Sequence, residues 1–289
     1  DELKLRGSVG WSSKDGNSGY YGAQATYNLV TGTNYAGSSY LGMSQPGNTN
    51  LGWEKTATYD IGLDATLFNR RADINLDYYY KKTTDMLFAS DLPAYTGFTK
   101  QDQNIGDMSN QGLELRLNSF NISTEDFQWM TTLTLSRNTN KILKLNFEGN
   151  QMDQLNSSFK YYEVGYPAGQ FYLHRWAGVD PVTGNPRWLY KDGSISQVAP
   201  ASNYETSGQN KFIMGVGTPD FYGGLSNSFI YKGFELNFLL TFSSGGKMFN
   251  NTKAQLMTYS TSDANNLDAD VLKFWQIYGH NTDVPKLRN

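Results

Sequence analysis

Apolar and polar residues alternate strictly along several segments of the chain, and residues 71–80 give the best example. One parity carries Ala72, Ile74, Leu76, Tyr78 and Tyr80, and the other carries Asp73, Asn75, Asp77 and Tyr79. Because successive side chains of a β-strand point to opposite faces, this period of two predicts a strand with one charge-free face. The same alternation recurs within residues 59–67, 113–118, 127–135 and 234–243, with Leu239 as the apolar exception. We therefore predict an all-β protein.

The lengths of the connections between these strands extend the prediction. Short turns are expected near 69–71 and 231–233 and a longer one at 118–126, whereas long polar stretches occupy 12–20, 31–52, 89–102 and 139–165. Outer-membrane barrels join their strands by short turns on one side and long loops on the other. A soluble antiparallel sheet with one solvent-exposed face has the same period of two. Alternation alone therefore does not decide between a membrane barrel and a soluble sheet. Residues 254–279 are left unassigned, with a short helix considered at 268–279.

Composition favours the barrel over the soluble sheet. Aromatic residues make up 15% and charged residues only 18% of the chain, and the mean hydropathy is -0.55. Membrane barrels place aromatic residues at both interfaces and keep a polar interior, which is the role we expect for Trp53 and for the Tyr78–Tyr80 segment. No stretch approaches the roughly 18 apolar residues of a spanning helix. The net charge of -3 argues against a nucleic-acid partner.

Several segments resemble, in collinear order, the SusC/RagA-type TonB-dependent transporters of Bacteroidetes outer membranes. The segments are LKLRGSVGW at 3–11, NTNLGWEKTATYDIGLDATLF at 48–68, DYYYKKTTDML at 77–87, NIGDMSNQGLEL at 104–115, GYPAGQFY at 165–172, GTPDFYGGLSNSFIYKGFEL at 217–236 and TDVPKL at 282–287. The resemblance implies part of a large antiparallel transmembrane β-barrel, 22-stranded in the family and plugged by an N-terminal domain. We expect residues 1–289 to be a fragment of one barrel domain, from the C-terminal half of the barrel, with the plug and the final strands outside it.

The resemblance also implies a function and partners. The expected function is active, TonB-dependent import of oligomeric nutrients, either glycans or peptides, across the bacterial outer membrane. The implied partners are a SusD-like surface lipoprotein, the TonB complex acting through an N-terminal region, outer-membrane lipid, and a dimer of transporter–lipoprotein pairs. Alternatives that stay open are a siderophore or cobalamin receptor, a passive porin and a soluble all-β glycan-binding module.

Candidate site residues on the wall of the expected lumen are predicted only from the side of each strand on which a residue lies. They are Asp60, Asp64, Asp73, Asp77, Glu114, Arg116, Glu235 and Asn237. A register slip of one residue would reverse the assignment. Acidic pairs four residues apart on one strand face lie about 13 Å apart at roughly 3.3 Å per residue, which is too far for glycoside hydrolysis. These side chains are therefore interpreted as a hydrated wall.

Other chemistry finds little support in the sequence, and we expect neither an enzyme nor a cofactor. His174 and His280 are the two histidines and carry no catalytic motif, while cysteine is absent. Asp180 and Asp192 could hold calcium, but both fit ordinary turn positions, which we favour. Gly223 and Gly224 are expected to allow close backbone approach within a strand.

Overall fold

The computed structural model describes residues 1–15, 21–35, 38–98, 100–145, 151–154, 160–198, 210–258 and 266–287. Strands dominate this part of the chain, in agreement with the all-β prediction. They are β1 (Glu2–Lys14), β2 (Thr26–Tyr35), β3 (Ser38–Gln45), β4 (Glu54–Leu67), β5 (Ala72–Asp91), β6 (Lys100–Ser123), β7 (Phe127–Leu145), β8 (Gln151–Gln154), β9 (Lys160–Glu163), β10 (Gln170–Val179), β11 (Pro186–Leu189), β12 (Ile195–Ser196), β13 (Lys211–Gly215), β14 (Pro219–Tyr231) and β15 (Phe234–Gly245).

The chain divides into two compact units, which are described separately. The first comprises Asp1–Met152, Tyr162–Ala168 and Pro219–Gly245, and the second comprises Asp153–Tyr161, Gly169–Thr218 and Gly246–Asn289. The first unit contains the long strands that the alternating pattern predicts. The second unit contains short strands, an α-helix and a 3₁₀ segment.

A seven-stranded antiparallel sheet forms the frame of the first unit. Its strand order is β1-β4-β5-β6-β7-β14-β15, and every neighbouring pair is antiparallel. Strand β5 has 20 residues and β6 has 24, far more than the usual strand of about 5–6 residues. A separate two-stranded pair joins β2 and β3, and β3 and the end of β2 lie within residues 31–52, which the sequence assigns to a loop.

The tight turns lie where the sequence predicts them. Phe68, Asn69 and Arg70 between β4 and β5 all have positive φ, and β14 joins β15 through Lys232 and Gly233 with φ of 45° and 88°. Two residues of positive φ match the right-handed twist of a hairpin. The connections predicted at 89–102, 118–126 and 139–165 are shorter than expected, because β5, β6 and β7 extend into them. In these strands the backbone hydrogen bonds continue beyond the residues that alternate between apolar and polar. Strand ends predicted from the alternation alone therefore make β5, β6 and β7 too short.

In the second unit, β10 pairs antiparallel with β9, β11 and β13. Helix α1 (Asn251–Leu256) is capped by the side chain of Asn250, which accepts from the backbone N–H of Lys253 at 2.9 Å. A 3₁₀ segment spans Ala269–Lys273, inside the region considered for a short helix. Within the described residues, no helix has the length and apolar character needed to cross a membrane.

Trp275 closes the turn at Gly184 in this second unit. Gly184 has φ of +69°, and a β-carbon there would meet the indole ring of Trp275. The indole Nε1 of Trp275 donates to the carbonyl of Pro181 at 3.1 Å, and the backbone N–H of Lys286 donates to the carbonyl of Gly184 at 3.0 Å. Glycine is required at this turn by both its backbone conformation and the aromatic ring packed on it.

Candidate functional site

The register of the seven-stranded sheet places all eight predicted wall residues on one face. Asp64 of β4 lies opposite Asn75 of β5, which lies opposite Arg116 of β6, and the row continues through Thr134 of β7 to Gly224 of β14. Directly paired residues of neighbouring strands point to the same side of a sheet. The shared face, called the polar face below, carries Asp60, Asp64, Asp73, Asp77, Glu114, Arg116, Glu235 and Asn237. That this face lines a lumen stays a prediction.

Arg6 organises the charged centre of the polar face. Its Nε and Nη2 donate to the two carboxylate oxygens of Asp64 at 2.7 and 2.9 Å, and Nη2 also donates to Oδ1 of Asp77 at 2.7 Å. Asn75 Nδ2 adds a fourth bond, to Asp64 Oδ1 at 2.9 Å. A guanidinium that bonds a carboxylate through two parallel N–H groups fixes the orientation of both side chains. The Arg6 network therefore holds two of the predicted acidic residues in one position.

Gly62 makes room for this network. It lies opposite Arg6 on one side and opposite Asp77 on the other. A β-carbon at position 62 would collide with Oδ1 of Asp77 and with the guanidinium of Arg6. The missing side chain on the middle strand thus lets β1 and β5 bond to each other above β4.

The same arrangement recurs at Gly112 on β6. Tyr79 of β5 and Asn138 of β7 both lie opposite Gly112, and the hydroxyl of Tyr79 donates to Oδ1 of Asn138 at 3.0 Å. A β-carbon at position 112 would collide with the phenol of Tyr79. Two glycines therefore act as gaps on the polar face over which long side chains join strands that are not neighbours.

The remaining predicted residues lie on the polar face outside the Arg6 network. Oδ1 of Asp73 accepts from the hydroxyl of Thr66 at 2.8 Å, and Oε1 of Glu235 accepts from Asn237 Nδ2 at 2.8 Å. Glu114 lies opposite Asp77 and Ser136 in register, and Asp60 lies opposite Ser8 and Tyr79. Sequence reasoning missed Arg6, although its polar parity within LKLRGSVGW identifies it as a wall residue.

The opposite face of the sheet is apolar and largely uncovered. Leu5 on β1 is 72% exposed and Leu236 on β15 is 61% exposed. A groove of about 500 Å³ on this part of the sheet is lined mainly by apolar and tyrosine side chains of β1, β4 and β5. Gly223 lies against the ring of Phe242, which occupies the space of a missing side chain, as predicted for a close approach. Lys82, opposite Ala57, and Arg137, opposite Leu113, are charged residues on this face, whereas the rows through Leu63, Leu76, Leu115 and Leu133 are free of charge. Such an uncharged band opposite a polar face is typical of a strand with one face in lipid and one in water.

Asn227 is a polar residue within this apolar face and is only 7% exposed. Its Oδ1 accepts from Trp129 Nε1 at 2.9 Å and from the hydroxyl of Thr131 at 2.7 Å. The rings of Trp129 and Phe229 stack at 5.5 Å, and Phe229 stacks on Phe238 at 5.9 Å. The amide oxygen of Asn227 thus provides an acceptor for both the indole N–H of Trp129 and the hydroxyl of Thr131. Because these polar groups are paired, the aromatic cluster can lie on the apolar face.

Asp180 and Asp192 in the second unit occupy turns. Oδ1 of Asp180 accepts from the backbone N–H of Val182 and of Thr183 at 2.8 and 2.9 Å, and Oδ1 of Asp192 accepts from the backbone and hydroxyl of Ser194. These bonds lower the pKa of each carboxyl. Across the described ranges, no group of three or more His, Cys, Asp or Glu side chains is arranged to hold a metal ion.

His174 and His280 also lie in the second unit. Nδ1 of His174 is 3.3 Å from the carbonyl oxygen of Asn210, and its ring meets Trp188 edge-on at 6.4 Å. Burial lowers the pKa of His174. Since a carbonyl can only accept, Nδ1 carries the proton, and the neutral ring serves as a structural bridge between β10 and the residue preceding β13.

Comparison with known proteins identifies similar chains. Residues 1–237 match the family described as TonB dependent receptor-like, β-barrel. TonB-dependent receptor P3 of Formosa agariphila is 35% identical over 261 residues, which cover 83% of this chain and 25% of that protein. TonB-dependent receptor SusC of Bacteroides thetaiotaomicron is 30% identical over 241 residues, which cover 78% of this chain and 23% of SusC.

Solved structures show the same likeness. A structure of the RagAB peptide transporter superposes with a TM-score of 0.81 at 30% identity, covering 99% of this chain and 31% of that chain. The RagAB peptide importer in its closed-closed state gives a TM-score of 0.82 at 29% identity. The chain spans about a quarter of the length of the curated relatives it matches, 25% of P3 and 23% of SusC.

Proposed function

This chain belongs to the TonB dependent receptor-like β-barrel family and within it to the SusC/RagA type, and on that premise we propose that it forms part of the wall of an active importer of oligomeric nutrients. The family consists of transporters and not of enzymes. Location in the bacterial outer membrane follows from the same membership. The energy for import comes, in this proposal, from the TonB complex.

The division of the seven-stranded sheet into two faces is the observation that carries the proposal. Paired residues place Asp64, Asn75 and Arg116 on one face, while the other face exposes leucine and phenylalanine side chains. An arginine or lysine at a lipid-facing strand position costs about 2–4 kcal/mol at mid-membrane and an acidic side chain less, whereas a water-filled lumen accepts both. The polar face is therefore the side along which a hydrophilic substrate passes.

The substrate class and the partner are inferred from relatives. RagAB is a peptide transporter and is 30% identical to this chain over nearly its whole length, which supports peptides as one class of cargo. Glycans stay the second proposed class of cargo. A SusD-like surface lipoprotein is proposed as the partner that captures the oligomer, with two such pairs forming a dimer.

Deletion of the gene in its host tests this proposal. Cells should lose growth on a defined set of oligopeptides or oligosaccharides as sole nutrient and regain it with the restored gene, while growth on the monomers stays unchanged. The tagged receptor, purified from outer membranes in detergent, should bring a lipoprotein with it. Unchanged growth on every oligomer, or recovery of the receptor from the soluble fraction, would contradict the proposal.

A further inference from the structure

Three basic side chains lie together at one end of the apolar face of the seven-stranded sheet. Lys82 of β5 lies opposite Ser109 of β6, which lies opposite Lys141 of β7, and Arg137 of β7 lies opposite Leu113. Because paired residues of neighbouring strands point to the same side, all three basic side chains leave the sheet on its apolar face. All three are exposed. They are called the basic cluster below.

The basic cluster lies at the level where the apolar band of a membrane barrel ends. Arg137 follows Trp129 on β7 by eight residues, and Lys141 follows it by twelve. At about 3.3 Å per residue and a strand tilt of about 40°, these two residues lie about 20 and 30 Å from Trp129 along the barrel axis. The apolar band of such a barrel is about 25 Å tall and has an aromatic girdle at each edge. Arg137 and Lys141 therefore lie on the two sides of the edge opposite Trp129.

The edge that carries the basic cluster belongs to the outer leaflet. The short turns at Phe68–Arg70 and Lys232–Gly233 lie at the other end of the strands, as does the connection between β6 and β7 beside Trp129. Outer-membrane barrels have their short turns on the periplasmic side. The basic cluster is thus at the outer surface of the membrane.

Tyrosines border the basic cluster on the side of the apolar band. Tyr78 and Tyr80 precede Lys82 on the same side of β5, and Tyr59 of β4 lies opposite Tyr80 with ring centres 6.4 Å apart. The hydroxyl of Tyr78 is 3.4 Å from Oε1 of Gln111, on the same face. Tyrosine is favoured where one end of the side chain meets hydrocarbon and the other meets polar groups. These rings mark the interface between lipid chains and headgroups.

An apolar groove begins at these tyrosines and runs away from the basic cluster. It is the groove of about 500 Å³ on β1, β4 and β5, and Leu5, Val9 and Ile61 line it together with the three tyrosines. A hydrocarbon chain lying in this groove would bury apolar surface on both sides. The face thus offers room for an acyl chain directly below a group of positive charges.

The charges of the basic cluster are not matched within the described part of the chain. The ion pairs found there include no member of the cluster. The nearest acidic residues along β5 and β6 have other contacts: Oδ2 of Asp85 accepts from Lys55 at 3.0 Å, and Oδ1 of Asp107 accepts from the backbone N–H of Asp85 at 3.3 Å. Three like charges repel one another. A negatively charged group from outside the sheet would relieve that repulsion.

The three side chains can converge on one headgroup. Only β6 separates the strands of Lys82 and Lys141, so their backbones are about 10 Å apart. Ser109 between them has a short side chain and is 7% exposed. Arg137 lies about 13 Å from Lys141 along β7. Long basic side chains keep their apolar stems on the apolar surface and extend their charged ends towards the polar region, which brings the guanidinium towards the two ammonium groups.

We propose that Lys82, Arg137 and Lys141 form a site on the outside of the barrel that binds the phosphate groups of an outer-leaflet lipid, whose acyl chains lie on the apolar band. The inference rests on the outer-membrane barrel of the proposed function and not on which oligomer is imported. Phosphate oxygens accept charge-assisted hydrogen bonds from guanidinium and ammonium groups. Basic residues at a membrane surface attract anionic lipid. Hydrocarbon directly below the charges favours a lipid over a water-soluble partner.

Native mass spectrometry of the intact receptor in detergent tests the site. The probes are lipid A with its two phosphates and the same lipid after removal of both phosphates. The phosphorylated form should bind about tenfold tighter, and the preference should fall as salt rises. Inorganic phosphate at the same concentration should not displace it, because it lacks acyl chains. Equal binding of the two lipids by the unchanged receptor, or displacement by inorganic phosphate, would overturn the lipid site.

Variants assign the preference to the basic cluster. Lys82→Gln with Arg137→Gln and Lys141→Gln should abolish it, whereas Lys82→Arg with Arg137→Lys and Lys141→Arg should keep it. Lys81→Gln is the matched control for Lys82→Gln alone, because Lys81 is the preceding residue of β5 and lies on the polar face, 5.1 Å from the ring centre of Tyr79.

Lys82→Gln should lower the preference for the phosphorylated lipid, and Lys81→Gln should leave it unchanged. An equal loss in both variants would place the lipid elsewhere and contradict the assignment to the apolar face. The result for the unchanged receptor decides the proposal whether or not the triple glutamine variant folds. Uptake by cells is measured separately, so failure of import and failure of the lipid site are distinguishable.

Discussion

Arg6 on β1 donates from Nη2 to Oδ1 of Asp77 on β5 at 2.7 Å, although β4 lies between the two strands. The bond passes above Gly62, whose β-carbon position is filled by these two side chains. Backbone pairing joins only neighbouring strands, so this side-chain bond adds a connection that the sheet itself cannot make. One arginine thereby couples three strands of the polar face.

Substitution of Gly62 by valine should therefore destabilise the receptor. The new side chain displaces Arg6 from Asp77, and forcing atoms into filled space costs about 1–3 kcal/mol. Unfolding of the purified receptor by guanidinium chloride in detergent measures the loss. Gly10→Val on β1 is the control, since a β-carbon there meets nothing within 4 Å. Equal midpoints for the two variants would show that Gly62 is not needed as a gap.

An arginine scan of adjacent residues on β14 should separate the two faces of the sheet. Leu225 lies between Leu133 and Leu240 on the apolar face, whereas Ser226 lies opposite Thr132 on the polar face. Leu225→Arg should cost about 2–4 kcal/mol in lipid vesicles, and Ser226→Arg less than about 1 kcal/mol. Refolding into vesicles at increasing denaturant gives both values. A larger loss for Ser226→Arg would reverse the assignment of the faces.

Asn227→Leu should destabilise the aromatic cluster although it makes the apolar face more apolar. Trp129 and Thr131 would both lose their acceptor, and each donor left without a partner costs about 1–3 kcal/mol. Thr131→Val removes one donor and leaves the bond from Trp129 to Asn227, so its loss should be smaller. Thermal unfolding followed by electrophoretic mobility compares the variants. A stabilised Asn227→Leu variant would show that this amide is not needed.

Gly184→Ala should disturb the second unit more than Gly193→Ala. Both glycines have positive φ, 69° and 85°, so alanine costs about 1–2 kcal/mol at either position. Only at Gly184 does the new methyl group meet the ring of Trp275, which adds about 1–3 kcal/mol. Limited proteolysis should cleave the Gly184→Ala receptor faster than the Gly193→Ala receptor. Equal cleavage rates would mean that Trp275 does not constrain the turn.

Acid should weaken the attachment of the 3₁₀ segment to helix α1. Hydrogen bonds from Lys253 and Lys273 lower the pKa of Asp270 from 3.8 to about 2. A depressed pKa means that the ionised carboxyl favours the folded form, so its contribution is present above about pH 4 and is lost as the pH falls towards 2. The protection of amides 269–273, taken as exchange relative to the intrinsic rate at each pH, should fall over that range, and Asp270→Asn should show the lower protection already at neutral pH. Equal protection at pH 5 and pH 2.5 would contradict the role of Asp270.

Much of the first unit could be predicted from sequence because its signal is local. Alternation in residues 71–80 places Asp73 and Asp77 on one face from the chain alone, and the register confirms that Asp64 and Glu114 share it. The glycine gaps could not be predicted in the same way. Whether Gly62 lies beneath Arg6 depends on the register in which β1 pairs with β4. The pattern of residues along one strand does not determine that register.

The second unit was harder to predict for a different reason. Its strands β9, β11 and β13 have four or five residues, too few to show a period. Lys191 and Lys211 approach the ring of Tyr172 because pairing between distant segments brings the three residues together. Their spacing along the sequence does not indicate this proximity, so neither this cluster nor the Gly184 turn with Trp275 was predicted from the sequence.

Uptake of a labelled oligomer by intact cells tests the importer most directly. Cells with the gene should accumulate a labelled oligopeptide or oligosaccharide, and cells without it should not. Collapse of the proton-motive force should stop accumulation in the first strain, because TonB-dependent import requires energy. Uptake that persists in cells without the gene, or that continues unchanged in cells without a proton-motive force, would contradict active import by this receptor.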